Sequence, residues 1–430
     1  MSKIVHSVTL DSSLCKGCTS CVKHCPTEAI RVRDKKAVII KERCVDCGNC
    51  IRICPHHAKK GVVDPFSILS NWEYTVALPA PTLYAQFKDL LDRNVLLTAL
   101  KHIGFDDVFE VSAAAEIISA ATSTDLTFKD MPKPLISSAC PAVVRIIRVR
   151  FPSLIPHLVT YRSPMELAAR WAGRLAVKKT GLPREKIGCI FISPCPAKST
   201  SRRTPIGTHV SAVDGVVSIA ELYPRLHVAM KQVDKPEQLA HSSTIGVNWA
   251  LSGGESQATA SQNHICADGM DNVIRILEAL EDDKISNVDF VELNACVGGC
   301  VGGALTVENP FIARTQMERL MKQFAPVLPP QDIPLDDLSW DDPVEFEPVM
   351  QLDSNIVNAM DKLSRIKELE EHFNGMDCGA CGAPSCRALA EDIVGGFASE
   401  DQCIFLIREK LQKLLDQMPK EKASEEENAK

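Results

Sequence analysis

GCIFISPC, residues 188–195, decides the fold class, because it is an apolar run that ends in a loop with a proline and a cysteine. PLISSAC at 134–140 and DFVELNAC at 289–296 are runs of the same kind. Between these runs lie helix-like stretches such as 143–150, whose apolar residues recur at helical spacing and which Pro152 closes. Alternating strands and helices predict an α/β domain, with parallel sheets flanked by helices.

The cysteines that follow these runs are candidate metal ligands. In open α/β sheets, ligands bind beyond the carboxyl ends of the strands, so loops from separate strands converge on one crevice. We therefore expect one metal site, formed by Cys140, Cys195, Cys296 and Cys300. The alternative is scattered core cysteines, since a free cysteine packs as a small apolar residue. Two Cys-Pro pairs and the glycine-rich CVGGCVGG favour the metal site.

Length and composition limit the classes of protein. A chain of 430 residues predicts two or three domains. With 55 acidic and 48 basic residues and no basic block, nucleic acid is not an expected partner. The chain contains no apolar run of about 18 residues, the length that a membrane span requires. The first residues lack the apolar core of a signal peptide, so we expect a cytoplasmic protein. In such a chain, 18 cysteines indicate metal or redox chemistry and not disulfides.

The first 64 residues contain the pattern C-x2-C-x2-C-x3-C-P twice. This run ligates two 4Fe-4S clusters in bacterial ferredoxins, where the fourth cysteine of each run reaches the other cluster. The predicted ligand sets are Cys15, Cys18, Cys21 and Cys54 for one cluster, and Cys25, Cys44, Cys47 and Cys50 for the second. A zinc ribbon is the alternative, because C-x2-C pairs also bind zinc.

Three loops, SSACP (137–141), SPCPAK (193–198) and ACVGGCVGG (295–303), resemble the signature loops of the iron-iron hydrogenases. FPSLIPHLVTYRSP (151–164) is also similar, and the resemblance spans nearly all of residues 1–325. It implies an H-cluster: a 4Fe-4S cluster joined to a diiron subcluster with carbon monoxide, cyanide and an azadithiolate bridge. The implied ligands are Cys140, Cys195, Cys296 and Cys300, with Cys300 as the bridge between the two parts.

The same resemblance assigns further residues to the cofactor. Lys198 takes the place of a lysine that pairs with one cyanide, a role suited to a point charge with several donors. Pro81 and Thr82 fall beside the other cyanide. The remaining positions implied to contact the cofactor are Ser138, Pro164, Met165 and Ser193.

One position departs from the pattern of turnover enzymes. Where they have a cysteine that passes protons to the azadithiolate amine, this chain has Ala139. Ser193 and Met165 also replace the usual methionine and glutamine, and together these changes resemble the sensory-type branch of the family. A positioned acid or base contributes about 10²- to 10⁴-fold to rate, so we expect slow turnover. Water or the hydroxyl of Ser137 or Ser138 could partly replace the relay thiol. The alternative is that Ala139 is a neutral substitution and that another proton relay is in place.

The C-terminal part contains a further cysteine set. The spacing C-x2-C-x4-C-x16-C is formed by Cys378, Cys381, Cys386 and Cys403. It predicts one more 4Fe-4S cluster besides the H-cluster and the two ferredoxin clusters, with zinc as the alternative. This stretch resembles the small 4Fe-4S domain of corrinoid iron-sulfur proteins, Rnf-type B subunits and sensory-type hydrogenases. The predicted organisation is a ferredoxin domain (1–64), an H-cluster domain (65–325), a Pro/Asp-rich linker (326–352), a 4Fe-4S domain (353–410) and a charged tail (411–430).

Three functions are weighed. The first is a sensory-type hydrogenase that slowly interconverts H2 with protons and electrons; with no PAS domain after the cluster domain, its signalling partner would act in trans. The second is a metabolic, ferredoxin-linked hydrogenase, and the third is a cluster carrier or electron-transfer protein without the diiron site. The hydrogenase reading implies a ferredoxin-like or other redox partner and maturation proteins, and leaves a homo-oligomer open. Cys189 is expected to be structural, while the role of Cys266 stays open.

Overall fold

The computed structural model describes residues 6–128, 131–324 and 337–417. Residues 326–336 of the predicted linker and 418–430 of the predicted tail lie outside them. The chain divides into two compact units. The larger unit contains the residues up to Cys15 and Ile39–Met350; the smaller unit contains Lys16–Val38 and the residues from Gln351 onward.

The described residues form short strands joined by helices. The strands are β1 (Val8–Leu10), β2 (Ile30–Arg33), β3 (Lys36–Ile39), β4 (Lys59–Gly61), β5 (Tyr74–Pro79), β6 (Asp107–Val108), β7 (Leu135–Ile136), β8 (Ile187–Ser193), β9 (Gly215–Ser218), β10 (His264–Asp268) and β11 (Phe290–Asn294).

The helices are α1 (Ser20–Lys23), α2 (Asn49–Arg52), α3 (Arg93–His102), α4 (Val111–Phe128), α5 (Pro141–Arg150), α6 (Pro164–Thr180), α7 (Pro196–Arg203), α8 (Ile219–Met230), α9 (Thr244–Asn248), α10 (Gly254–Ala258), α11 (Met270–Glu281), α12 (Pro310–Met321), α13 (Ile356–His372), α14 (Cys386–Val394) and α15 (Ile404–Gln417). Short 3-10 helices lie at Lys41–Arg43, Phe66–Asn71, Pro81–Gln86, Pro152–His157, Arg184–Lys186, Cys300–Gly302 and Glu400–Gln402.

The main sheet of the larger unit is parallel and has the strand order β6-β5-β8-β9. Every residue of β8 is buried, as in a parallel strand that helices cover on both faces. Ile190 and Ile192 pack with α3 and α8, while Cys189 and Phe191 point to the other face, with α4 and α6. The α/β class with parallel sheets is therefore confirmed, and Cys189 lies in the core.

A second parallel sheet has the order β10-β11-β7. Ile136, Val291 and Leu293 from this sheet share a core with the apolar faces of α5 and α11. The helix predicted over 143–150 is α5, which begins two residues earlier at Pro141, because proline is favoured at a first helical position, where its missing N–H is not needed.

Residues of the predicted ferredoxin domain fall in both units. In the larger unit β1 pairs with β4 in antiparallel register, Val8 opposite Gly61. In the smaller unit β2 pairs with β3. The division by packing does not follow the boundary expected at residue 64, and the domain limits stay a prediction.

The smaller unit also contains α13, α14 and α15. Ile366 and Leu369 of α13, Leu389 of α14 and Leu406 of α15 form its apolar core. α15 extends to Gln417, so the predicted tail is helical over 411–417. Among the described residues, no helix has the length and apolar character needed to cross a lipid bilayer.

Candidate functional site

One cavity of the larger unit lies beyond the carboxyl ends of four parallel strands, where the sequence predicts the site. It has a volume of about 100 Å³, several times the space that one water molecule needs. Its lining includes Pro81 and Thr82 after β5, Ala139 and Cys140 after β7, Cys195 and Lys198 after β8, and Cys296 and Cys300 after β11. Pro164 and Met165, at the start of α6, also line it. Chain segments that are far apart in sequence thus meet at this cavity.

Local structure explains the two Cys-Pro pairs. Cys140 is the residue before α5 and Cys195 the residue before α7, and each has an extended backbone followed by proline in the first turn. Proline suits the first helical position, and the extended residue before it directs the chain out of the strand. Each cysteine is therefore placed at a strand-to-helix junction.

The glycines of 295–303 permit close backbone approaches. A Cβ atom at Gly303 would lie 2.3 Å from the Pro194 carbonyl oxygen, and one at Gly299 would lie 2.5 Å from the Ser252 nitrogen. Gly299 also has a φ of +89°, which disfavours other residues. The glycines thus let the loop that bears Cys296 and Cys300 lie against the loop that bears Cys195.

Burial controls the protonation of these thiols. Burial, with the neighbouring Cys296, raises the pKa of Cys195 to about 12. Burial likewise raises the pKa of Cys296 and of Cys300 above the ordinary range of a thiol. Without a bound cation these three thiols hold their protons at neutral pH, so binding of a thiolate-seeking metal must release protons. Several buried sulfurs around one cavity are the donor set that iron-sulfur clusters use.

Lys198 and Thr82 are two of the polar side chains that line this largely apolar cavity. The Lys198 Nζ donates to the Ala139 carbonyl oxygen at 2.9 Å. Thr82 is fully buried, and its Oγ1 has no hydrogen-bond partner among the described residues. Because a buried hydroxyl without a partner is costly, this atom fits a bound group that accepts or donates a hydrogen bond there. An ammonium and a free hydroxyl in one cavity fit a cofactor with anionic ligands, as the resemblance implies.

Arg52, which the sequence argument did not single out, also contacts this site. In sequence, Arg52 stands between the predicted ligands Cys50 and Cys54. Its side chain hydrogen-bonds the Cys296 side chain and donates to the Gly302 carbonyl oxygen. No sequence signal identified it, because its contacts are made with a loop about 250 residues away.

Two buried carboxyl groups in the cavity were missed as well. Glu255, at the start of α10, accepts a hydrogen bond of 2.5 Å from the Ser137 hydroxyl. Glu292, within β11, accepts from the backbone nitrogens of Gly253 at 2.9 Å and Ser256 at 2.8 Å. A signal was present for Glu292, since a charged residue inside an otherwise apolar strand needs partners.

Burial, and then the neighbouring Glu292, raises the pKa of Glu255 well above the usual range of a carboxyl group. Glu255 is therefore a protonated acid at neutral pH. It lines the same cavity as Ala139.

Ser138 and Ser193 are not among the residues that line this cavity. Ser138 faces a smaller neighbouring cavity with Arg162 and Glu166. The Ser193 hydroxyl donates to the Cys195 carbonyl oxygen at 2.8 Å and accepts from the Cys195 nitrogen at 3.2 Å, so it shapes the loop before α7. Their predicted contact with a cofactor stays untested.

Cys266, whose role the sequence left open, lies on β10, beside Glu292 in the register of the sheet. Its Sγ is 3.2 Å from the Ser252 hydroxyl oxygen, and burial raises its pKa to about 11. Such a thiol is a poor nucleophile at neutral pH.

The other predicted ligands are distributed over the two units. Cys15, Cys44, Cys47, Cys50 and Cys54 belong to the larger unit, while Cys18, Cys21 and Cys25 belong to the smaller. The ferredoxin ligand sets therefore remain a prediction from spacing. All four C-terminal cysteines lie in the smaller unit. Burial raises the pKa of Cys381, with contributions from the nearby Cys378 and Cys403, so these thiols are neighbours.

Comparison with known proteins identifies the family. Residues 73–265 and 257–304, more than half of the chain, match the family model of the iron only hydrogenase large subunit, C-terminal domain. The chain belongs to this family. Residues 7–55 of this hydrogenase-family chain match the 4Fe-4S dicluster domain, and 374–405 match a model described as an Fe-S cluster. The predicted family and the iron-sulfur character are confirmed.

Individual relatives are distant. The periplasmic Fe hydrogenase large subunit of Nitratidesulfovibrio vulgaris is 25% identical over 361 residues, which covers 70% of this chain and 86% of that protein. Iron hydrogenase 1 of Clostridium pasteurianum is 23% identical over 368 residues, which covers 69% of this chain and 64%, less than two thirds, of the relative.

Two further similarities complete the comparison. A cytosolic Fe-S cluster assembly factor NAR1 homolog of Schizosaccharomyces japonicus is 31% identical over 122 residues, which covers 28% of this chain and 23% of that protein. A solved FeFe-hydrogenase of Chlamydomonas reinhardtii has a TM-score of 0.47 and 16% identity, over 61% of this chain and 90% of that one.

Proposed function

We propose that this member of the iron-only hydrogenase family is a sensory-type iron-iron hydrogenase that slowly interconverts H2 with protons and electrons. The observation that supports it is the single cavity onto which Cys140, Cys195, Cys296, Cys300 and Lys198 converge, with Ala139 at the relay position. The first four residues would hold a 4Fe-4S cluster, and Cys300 would also bridge to a diiron subcluster. That subcluster supplies, when bound, a metal centre that polarises H2.

Lys198 and Thr82 would fix the orientation of the subcluster. The Lys198 ammonium is anchored by the Ala139 carbonyl oxygen at 2.9 Å and places a positive charge in a mainly apolar cavity. A cation there favours anionic cyanide groups, and its attraction is strong because little water screens it. The Thr82 hydroxyl would donate a second hydrogen bond to the cofactor.

Proton movement would depend on the residues that replace the missing thiol. The Ala139 side chain has no exchangeable proton. Glu255 is protonated, lines the cavity, and is hydrogen-bonded to the Ser137 hydroxyl, which in turn accepts from the Ala139 nitrogen at 3.3 Å. Glu255 would therefore hold the proton to be delivered. A relay that begins farther from the reacting centre is slower than a thiol beside it, which agrees with low turnover.

Electrons would leave through the 4Fe-4S clusters of the ferredoxin and C-terminal segments to a ferredoxin-like or other redox partner. A signalling partner in trans would then respond to the redox state of the last cluster. Insertion of the diiron subcluster would require maturation proteins. The predicted cytoplasmic location stays a prediction, because the names of the relatives include both a periplasmic and a cytosolic protein.

The second candidate is a cluster carrier or electron-transfer protein without the diiron site, which the similarity to the NAR1 homolog favours. Such a protein needs the cysteines but has no use for space beyond them. The volume of about 100 Å³, with Lys198 and the unpartnered Thr82 hydroxyl facing it, therefore favours the hydrogenase. A metabolic hydrogenase is disfavoured by Ala139.

The test is hydrogen-deuterium exchange by the matured protein under D2. We expect slow release of HD, well above that of the same chain with its 4Fe-4S clusters but without maturation. If a sample treated with active maturation proteins releases no more HD than the unmatured control, the hydrogenase function is wrong and the carrier function is favoured.

A further inference from the structure

The smaller unit joins two cysteine-rich segments that are distant in sequence. Strand β2 lies against the loop between Cys381 and Cys386: the Val32 nitrogen donates to the Gly382 carbonyl oxygen at 2.8 Å. A Cβ atom at Gly382 would lie 2.2 Å from the Val32 carbonyl oxygen, and Gly382 has a φ of +83°. Glycine is thus required for this backbone contact.

A buried group of charges fastens the same contact. Arg31 donates to both carboxylate oxygens of Asp392, at 2.7 and 3.1 Å, and Arg33 donates to one of them at 2.5 Å. The Arg31 and Asp392 side chains are only 5% and 11% exposed. A forked arginine-carboxylate pair fixes geometry as well as position, and removal of one partner leaves an uncompensated buried charge. We call this group the Asp392 clamp.

The clamp lies where two segments that carry predicted cluster ligands meet. Arg33 also donates to the carbonyl oxygen of Cys381, at 3.4 Å. The Lys23 side chain, between Cys21 and Cys25, lies 3.2 Å from the position of a Cβ atom at Gly379. The loop that would hold the C-terminal cluster therefore contacts the segment that supplies ligands to the ferredoxin clusters.

We propose that this contact is an intramolecular electron-transfer interface, so that the C-terminal cluster exchanges electrons with the ferredoxin segment of its own chain. The proposal rests on the presence of 4Fe-4S clusters in the proposed function, but it does not require the diiron site. One electron passes in each event: one cluster is oxidised from the reduced to the oxidised cubane state while the other is reduced. No proton moves and no bond forms or breaks.

The clamp suits such an interface for a physical reason. Electron transfer needs a short and constant separation, and a glycine contact with a buried forked ion pair holds one register. With two guanidinium groups to one carboxylate, the clamp also carries a net positive charge, which offsets part of the repulsion between two anionic, thiolate-bound clusters. The C-terminal cluster would then be the last member of the chain of clusters, from which a partner takes electrons.

The test uses the full-length, cluster-containing protein reduced with dithionite. Two reduced, paramagnetic clusters in close proximity couple magnetically, which splits and broadens their electron paramagnetic resonance signals. The two predicted ferredoxin clusters would couple with each other in any case, so the tested signal is the part of the coupling that disappears in Cys386→Ala, which removes a predicted ligand of the C-terminal cluster. We expect Asp392→Ala to lose that same part at unchanged iron and sulfide content. Amide hydrogen exchange over residues 26–38 should become faster in the same variant, because the Val32 bond to Gly382 opens.

Control variants separate the clamp from general damage. Asp401→Ala removes an exposed ion pair with Lys410 in the same unit and should leave both measurements unchanged. If Asp392→Ala loses iron, Arg33→Gln is used: it keeps the Arg31 pair, so the Cys386-dependent coupling should weaken without disappearing.

Three results would overturn the proposal: coupling that Cys386→Ala leaves unchanged, Cys386-dependent coupling that persists in Asp392→Ala, or loss of that coupling in the Asp401→Ala control. These readouts need only dithionite-reduced 4Fe-4S clusters. A failure of hydrogenase activity would therefore be seen separately, as absent HD release with the coupling still present.

Discussion

The Ser137 hydroxyl lies 2.5 Å from the carboxyl group of Glu255, two residues before the alanine that replaces the relay cysteine. Ser137 is held by its own backbone, because its nitrogen donates to the Val291 carbonyl oxygen at 2.9 Å. A protonated acid and a hydroxyl are thus fixed next to the cavity where a thiol is missing. This relationship underlies the first two predictions.

Glu255→Gln should lower H2 turnover about 10²-fold or more, because the amide keeps the shape of the side chain but cannot deliver a proton. Turnover is measured as HD release under D2, with iron content confirmed. The matched control is Glu278→Gln on the exposed face of α11, which should leave the rate unchanged. Equal rates in Glu255→Gln and the unaltered protein would mean that protons use another route.

The pH dependence follows from the raised pKa of Glu255. Below this raised pKa the carboxyl group holds its proton, and proton delivery falls as the pH rises through it. The folded state also binds more protons than the unfolded state between the ordinary and the raised pKa, so stability falls with rising pH in that window. Glu255→Gln should flatten both profiles, as measured by H2 evolution and by the thermal midpoint at mildly acidic and mildly alkaline pH.

Ala139→Cys should raise turnover by about 10²- to 10⁴-fold, because it restores a thiol beside the cofactor. The comparison is with Ala139→Ser, whose hydroxyl is a much weaker acid and should give a smaller gain. Rates are measured on matured samples with equal diiron content. A rate that does not rise in Ala139→Cys would show that the missing thiol is not what limits turnover.

Asp46→Ala should destabilise the larger unit by about 3 to 5 kcal/mol, because it leaves a buried guanidinium without its partner. Asp46 is buried and accepts from the Ser7 nitrogen at 2.7 Å, the Thr200 hydroxyl at 2.7 Å and Arg145 at 3.0 Å. Anaerobic urea unfolding measures the change. Asp234→Ala, at an exposed turn, should stay within about 0.5 kcal/mol of the unaltered protein, and a similar small change in Asp46→Ala would contradict the prediction.

The parallel α/β class and the convergence of cysteines after strands could be predicted because short, local sequence patterns encode them. An apolar run followed by Cys-Pro, as at Cys195, specifies a buried strand, a turn and a helix start within a few residues. The pairing of Glu255 with Ser137 could not be found in this way, because 118 residues separate them and only the tertiary structure brings them together.

The contact between β2 and the C-terminal 4Fe-4S domain escaped prediction for the same reason at longer range. Arg31 and Asp392 are 361 residues apart, and each is an ordinary charged residue in its local sequence. Regular spacing grouped the first 64 residues into one domain, whereas packing divides them between two units.

The most direct test of the central claim is the infrared spectrum of the matured protein, with and without H2, in the region of metal-bound carbonyl and cyanide stretches. The proposed function predicts carbonyl and cyanide bands that shift when H2 is added, because the gas changes the redox state of a diiron site held at Cys300. A sample treated with active maturation proteins that shows no such bands, or bands that H2 leaves unchanged, would contradict the assignment of this chain as a hydrogenase.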